Sequence, residues 1–251
     1  SIRVKVFENG KLPSEVFTET YLIDENTQLP IIAISANHAD LWDFDFGIFK
    51  NSLKNREVVT SIEYFNPNGK KEFGINAGLR IFGSTIFQLQ QKPLTIQVKG
   101  KYGTDALAYQ LFDNKNLFRF KNFVLRNGGN DNGQTLFADG LVTSIVADQM
   151  DIDYQSYQPA LVFVNGQYWG IYNLREKLND NYLASNHHIN PAHLDVLEDN
   201  AAVIEGSAED YSSLLNFVRN NDLSEPENYN FVRSQVDLNE YINYQITKMY
   251  M

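Results

Sequence analysis

Apolar positions recur along this chain with two different periods, and the change of period divides it. Up to about Leu174 they form short alternating or continuous runs, the signature of strands; after Asn186 they fall at helical spacing. Ile2–Phe7 and Val16–Ile23 predict two strands joined around Gly10 and Pro13. A two-stranded piece is marginal alone and has to pack on something. The continuous run LPIIAIS, Leu29–Ser35, predicts a buried strand, and Asn37 with Asp40 predicts a short capped helix behind it. Val58–Tyr64, Gly78–Phe82 and Lys92–Val98 predict further strands, with a turn at Asn66–Gly69 and a loop from Gly83 to Gln91. Pro93 places the start of the last strand at an edge or at its first residue, because proline gives no N–H to a ladder.

The stretch Phe123–Leu183 organises the rest. It reads as a strand at Phe123–Leu125, a loop Gly128-Gly129-Asn130-Asp131-Asn132-Gly133, and an amphipathic helix from Thr135 to Met150. A hairpin follows, with arms Ala160–Val164 and Tyr168–Leu174 about Asn165-Gly166. Asn-Gly between alternating arms is a strong hairpin signal, since a type I′ turn needs positive φ at both central residues. Further on, Ser207, Ser224 and Asp237 each stand three residues before an acid and predict helix starts. In the last helix Leu238, Tyr241, Ile242, Gln245, Ile246 and Met249 predict one buried face. Strands first and helices second predict an α+β fold, with a boundary near Leu178–Ala184.

Composition narrows the function. A chain of 251 residues buries a sizeable core, as one large domain or two small ones. A net charge of −10 argues against non-specific nucleic-acid binding, which needs a basic footprint. The absence of cysteine excludes disulfides, thiolate metal sites and a thiol nucleophile. No apolar run reaches the roughly 20 residues of a membrane span. SIRVKVFENG does not read as a signal peptide, so the chain is expected to begin inside a longer protein. The last helix has no stop signal, and the natural chain is expected to continue.

Candidate chemistry is sparse. Neither G-x-x-x-x-G-K-[ST] nor G-x-G-x-x-G occurs, and no G-x-S-x-G elbow supports a serine nucleophile. The Gly128–Gly133 loop has the backbone freedom to offer N–H groups to an anion, although a plain surface loop is the simpler reading. His38, His187, His188 and His193 do not share the spacing of a metal site, so no metal ligands are assigned. Lys92 stands at the mouth of a strand, where an amine reaches a phosphate as a point charge or simply sits in water. Arg126 ends an apolar strand and calls for a carboxylate, Asp131 or Asp139. Glu176 lies where sheet passes to helix, a usual place for a ligand cleft; its plain alternative is pairing with Arg175 or Lys177 in solvent.

Two resemblances add to this. IRVKVFENGKLPSEVFTETYLI is similar to the last two strands of the chitobiase C-terminal-type immunoglobulin-like module of secreted bacterial proteins. LPIIAIS, DLWDFDFGIF, REVVTSIEYF, FGINAGLRIFG, QKPLTIQ, FKNFVLRNGGND and PALVFVNGQYWGIYNLREKLNDNYL resemble the spore coat protein H (CotH) kinase family. That resemblance implies an atypical protein-kinase-like fold: residues 1–23 a hairpin or the tail of an upstream module, 24–178 a β-rich N-lobe, 179–251 the start of a helical C-lobe. It implies phosphate transfer from ATP, with Mg²⁺ or Mn²⁺, to Ser/Thr of a protein substrate, in a secreted or cell-surface bacterial protein. Lys92 matches the strand lysine that holds nucleotide phosphates, with Asp139 in the following helix as its candidate partner. Arg80 is similar to the arginine of the family's G-x-R-x-x-G, and Glu176 falls at the hinge where adenine lies. The family's F-R-D reads Phe137-Ala138-Asp139 here, which removes one basic contact. Its catalytic Asp, the Asn after it and a second metal-binding Asp are expected beyond Met251, so this chain by itself is expected to be inactive. The rival expectation is a non-catalytic surface or coat interaction module on the same scaffold.

Overall fold

The computed structural model describes residues 1–83, 89–147 and 149–250. The chain is α+β and divides into two compact units, Ser1–Gly140 with Ser156–Lys177, and Leu141–Gln155 with Leu178–Met251.

The first unit opens with a small hairpin, β1 (Ile2–Val4) and β2 (Phe17–Glu19), paired antiparallel. Seven further strands follow: β3 (Ile31–Ala36), β4 (Val58–Phe65), β5 (Lys71–Ile81), β6 (Leu94–Gln97), β7 (Asn122–Arg126), β8 (Tyr157–Val164) and β9 (Gln167–Arg175). They close into a barrel in the order β3-β4-β5-β6-β7-β9-β8. Every neighbour pair is antiparallel except the closing seam, where β3 lies parallel to β8 with Ile31 opposite Leu161. Closure leaves no strand edge, and this reconciles Pro93 with a central position. It stands just before β6, and its carbonyl still accepts the Phe82 N–H at 2.8 Å.

Alternation along each strand sends one set of side chains inward. Ile34, Ile62, Leu79, Leu94, Leu125, Val162, Tyr172 and Leu174 are all within 1% of complete burial and belong to one cluster. β5 begins at Lys71, earlier than its sequence predicts. Gly74 and Asn76 are poor strand formers, but β4 supplies their partners in Glu63 and Ser61. At the tip of the β8–β9 hairpin Asn165 and Gly166 take φ of 50° and 80°, as a type I′ turn requires. Asn165 also accepts the Ala36 N–H on Oδ1 at 2.9 Å and donates its own N–H to Ile34 at 2.8 Å, tying the turn to β3.

The β1–β2 hairpin is held to the barrel by a buried carboxylate. Glu63, 1% exposed, accepts the Thr20 N–H at 3.2 Å and the Thr20 hydroxyl at 2.5 Å, and pairs with Lys71 at 3.1 Å. Lys71 in turn reaches Glu19 at 2.7 Å, so the buried charge is matched. The helix α1 (His38–Trp42) is capped as expected by Asn37, which accepts the Ala39 N–H at 3.0 Å. Asp40 pairs with Arg56 at 2.6 Å.

The helix α2 (Ala138–Val146) is shorter than the Thr135–Met150 expected, of which Asp148 lies outside the described residues. Leu136 takes φ of 67°, which no helix continues through, and the Asp131 carboxylate accepts the N–H groups of Thr135 and Ala138.

The second unit carries α3 (Asp180–His187), a hairpin of β10 (Val196–Glu198) and β11 (Ala202–Glu205), then α4 (Glu209–Asn220), α5 (Pro226–Gln235) and α6 (Leu238–Tyr250). Asp237 starts α6 as predicted, accepting from Asn239 and Glu240 N–H at 3.1 Å each. Ser224 does not cap α5; its own N–H donates to Asp222 at 2.9 Å. The hairpin corrects the expectation of helix alone after Asn186. The buried face expected on α6 is also overturned: Tyr241, Ile242 and Ile246 are 54%, 52% and 42% exposed and Met249 is 78% exposed. Polar residues make the helix's inward contacts instead. Glu240 accepts the Asp153 N–H at 3.0 Å, and Asn243 donates to Asp151 at 2.9 Å.

Candidate functional site

The register of β5 on β6 decides how the candidate residues lie. Leu79 pairs with Ile96 and Ile81 with Leu94, and all four face the core. Arg80 and its partner Thr95 therefore face outward. Lys92, two residues before Leu94, follows the inward set and is 8% exposed. Its amine donates to the Leu89 carbonyl at 3.1 Å, and its own carbonyl accepts the buried Tyr172 hydroxyl at 2.8 Å. Burial, and then the nearby Lys50, lower the Lys92 amine below its ordinary value. Arg80 thus faces out from the β5–β6 ladder, and Lys92 lies buried just before that ladder begins. The loop expected over Gly83 to Gln91 lies in part outside the described residues.

Arg80 opens on a pocket of about 320 Å³ lined by Asn55, Phe82, Gly83, Thr95, Gln97 and Lys177, among others. Its guanidinium donates to the side-chain oxygen of Asn55, a residue in left-handed conformation with φ of 52°. Among the described residues it forms no ion pair. Beside it on the same face, the Glu57 carboxylate meets Lys99 at 2.6 Å, Lys101 at 2.9 Å and the Tyr102 hydroxyl at 2.6 Å. Burial pushes Glu57 up, but the hydrogen bonds from Lys101, Lys99 and Tyr102 outweigh it and hold the carboxyl at about 2.

Asp139, at the start of α2, lies against the outer face of the barrel. One of its oxygens meets Arg175 at 2.6 Å and Arg126 at 3.1 Å, so of the two carboxylates expected for Arg126 it is Asp139 that answers. These arginines are the ion-pair partners that the structure gives Asp139, where the sequence offered Lys92. Arg175 is completely buried; burial lowers its guanidinium and Asp139 pulls it back. Close packing completes the seat, since a Cβ on Gly140 would come within 2.5 Å of the Tyr157 ring.

Glu176 is 3% exposed and so is not a solvent carboxylate. It pairs with Lys115 at 2.6 Å and accepts the Ser156 N–H at 2.9 Å. Arg175 next to it adds a longer-range attraction. Lys115 carried no signal in the sequence, because it lies 61 positions away in an irregular segment. The four candidates thus occupy four places: the buried stretch just before β6, the outer β5–β6 face, the start of α2, and the buried Lys115 pair.

Three N–H groups of the Gly128–Gly133 loop are spent internally. Gly129 donates to the Asn127 side chain at 3.2 Å, Asp131 to Gly128 at 3.0 Å and Asn132 to Gly129 at 3.1 Å, which favours the plain-loop reading. His187 meets both oxygens of Asp153 at 3.0 Å. Among the described residues no three His, Cys, Asp or Glu converge as metal ligands, and no helix is long and apolar enough to cross a membrane.

Against known families, the model described as CotH kinase protein matches residues 79–251, more than half of the chain. The chain belongs to the CotH kinase family. All four candidate residues fall inside the matched CotH segment, whereas β3 and β4, which complete the barrel, precede it. Comparison with curated proteins gave no significant match.

Proposed function

We propose that this CotH-family chain serves phosphate transfer from ATP to Ser or Thr of a protein substrate, in a secreted or cell-surface bacterial protein. The observation that carries the reading is the family match across Arg80, Lys92, Asp139 and Glu176. Lys92 is the phosphate-positioning residue. Burial and the nearby Lys50 both disfavour the charged amine, and phosphate oxygens within its reach would favour it. Arg126 and Arg175 hold Asp139 at the start of α2, and the Lys115–Glu176 pair stiffens the chain where β9 ends. Mg²⁺ or Mn²⁺ would enter with the phosphates, as such ions do when few protein carboxylates hold them. Isothermal titration with ATP and either ion tests this. Saturable binding that weakens about 10-fold or more in Lys92→Ala, on the order of 1.4 kcal/mol, is the expected result. No binding by the folded protein overturns it.

A second reading, a non-catalytic surface or coat interaction module, is favoured by the exposed apolar face of α6. A folded protein that ignores ATP is its first requirement.

A further inference from the structure

We infer that Asn9 is a covalent modification site, the Asn-Gly step at which this fold permits deamidation through a cyclic imide. The chain contains Asn9-Gly10, Asn68-Gly69, Asn127-Gly128, Asn132-Gly133 and Asn165-Gly166. In each, the glycine has no Cβ to hinder its own backbone nitrogen. On losing its proton, that nitrogen can attack the asparagine Cγ. The bond from Cγ to the side-chain nitrogen then breaks, and ammonia leaves. Water opens the imide at either carbonyl and yields aspartate or isoaspartate, so solvent is the other reactant. Two conditions govern the step: a side chain able to swing onto the backbone, and a glycine N–H not held by an acceptor.

Four of the five steps are tied. Asn127 is 1% exposed; its side chain donates to the Gln91 carbonyl and accepts the Gly129 N–H at 3.2 Å. The Asn132 side chain donates to the Asn127 carbonyl at 2.6 Å. Asn165 is fixed in the β8–β9 turn by the Ala36 N–H on its Oδ1 at 2.9 Å. Asn68 is exposed, but Gly69 donates its N–H to the Asn66 carbonyl at 2.8 Å, and Asn68 donates its own N–H to the Asn66 side chain at 3.0 Å. The β4–β5 turn therefore engages the nitrogen that would have to attack.

Asn9 differs on both conditions. It is exposed, in the connection between β1 and β2, where the Lys11 N–H meets the Glu8 carbonyl at 3.1 Å. Among the described residues neither the Asn9 side chain nor the Gly10 N–H makes a hydrogen bond. A Cβ built on Gly10 would meet nothing within 4 Å, so the space about the step is open. Backbone that is solvent-exposed and lightly bonded opens at little cost in free energy. The product adds a carboxylate to a turn in which Glu8 and Lys11, 2.8 Å apart, otherwise balance. Isoaspartate also lengthens the main chain of that turn by one carbon. This modification goes beyond the phosphate-transfer reading and does not rest on it.

The test is peptide mapping by mass spectrometry of the folded chain during incubation in warm neutral buffer, with a parallel sample in urea. Conversion of the Asn9 peptide at least 10-fold faster than the peptide of any other Asn-Gly step is expected in the folded chain. In urea the five steps should convert within about threefold of one another. Enzymatic methyl transfer to the isoaspartyl carboxylate reports the imide route and should label the Asn9 peptide. Asn9→Gln should remove that label and leave the melting temperature unchanged. Another step keeping pace with Asn9 in the folded chain overturns the inference, and so does conversion without isoaspartate. The same ranking in urea also overturns it, because the cause would then lie in neighbouring sequence and not in the fold.

Discussion

The barrel and the helical unit bury their apolar residues to very different extents. Strands β3 to β9 share one cluster of completely buried side chains, whereas none of α4, α5 and α6 contains a buried residue. Their closest aromatic contact, Phe217 on Phe231 at 4.2 Å between ring centroids, leaves Phe231 43% exposed. Periodicity was equally clear in both regions. A closed barrel meets its own demand for burial, because alternate residues have nowhere to point but inside. A helix with an apolar stripe states a demand that some other surface has to meet. The same hydrophobic pattern is thus a statement about packing in one region and about opportunity in the other.

The sharpest way to break this comparison is at the buried ion pair of the first unit. Glu176→Ala leaves the Lys115 amine, 11% exposed, without its carboxylate and is expected to cost about 3–5 kcal/mol in urea denaturation. If Glu176→Ala costs less than about 1 kcal/mol, the pair is not structural, and a ligand role for Glu176 gains. Next comes the core itself: Leu174→Ala, at a fully buried site, is expected to lose about 2–5 kcal/mol by the same measurement. Acid acts more gently. The folded-state carboxyl of Glu57 is held at about 2, below its usual 4.5, so its contribution is complete above pH 4.5 and is lost as pH falls toward 2. With solvent screening on that half-exposed cluster, we expect about 1–2 kcal/mol, read as a fall in melting temperature between pH 5 and 2 that is smaller in Glu57→Gln. The smallest effect belongs to the helices. Ile246→Ser on α6 is expected to change stability by less than about 0.5 kcal/mol, and a loss above about 2 kcal/mol would mean that this face is covered in solution.

Much of the barrel was legible in the sequence because its signals are local. Asn165-Gly166 named its own turn, Asn37 its own cap, and LPIIAIS its own burial. What escaped depends on partners remote in the chain. The early residues of β5 are strand only because β4 pairs with them, and closure itself rests on β3 meeting β8. The β10–β11 hairpin escaped because its strands are short, exposed and turned without glycine, on Asp199 and Ala201 at positive φ. Among site residues, the types were recognisable and the faces were not. Arg80 and Lys92 look like neighbours in a phosphate cradle, but the register turns Arg80 outward while Lys92 is buried before β6 begins. Asp139 was offered to both Arg126 and Lys92; that it meets Arg126, and Arg175 besides, depended on a helix start that Leu136 and Asp131 set.

The parallel seam has a consequence for how the molecule comes into being. A strand that emerges early, β3, has to wait for β8 before its second edge is covered, since Ile31 finds Leu161 and Ile34 finds Val164. At roughly 5–20 residues per second of synthesis that delay is on the order of ten seconds. Throughout it, IIAISA presents an apolar edge to whatever else is nearby. Loop-closure entropy then makes the final zipper a long-range event, while the β4–β5 and β8–β9 hairpins can form as soon as they emerge. Nascent chains halted before Val164 should therefore be the ones that chaperones hold longest, and release should coincide with the Asn165 turn docking onto Ala36.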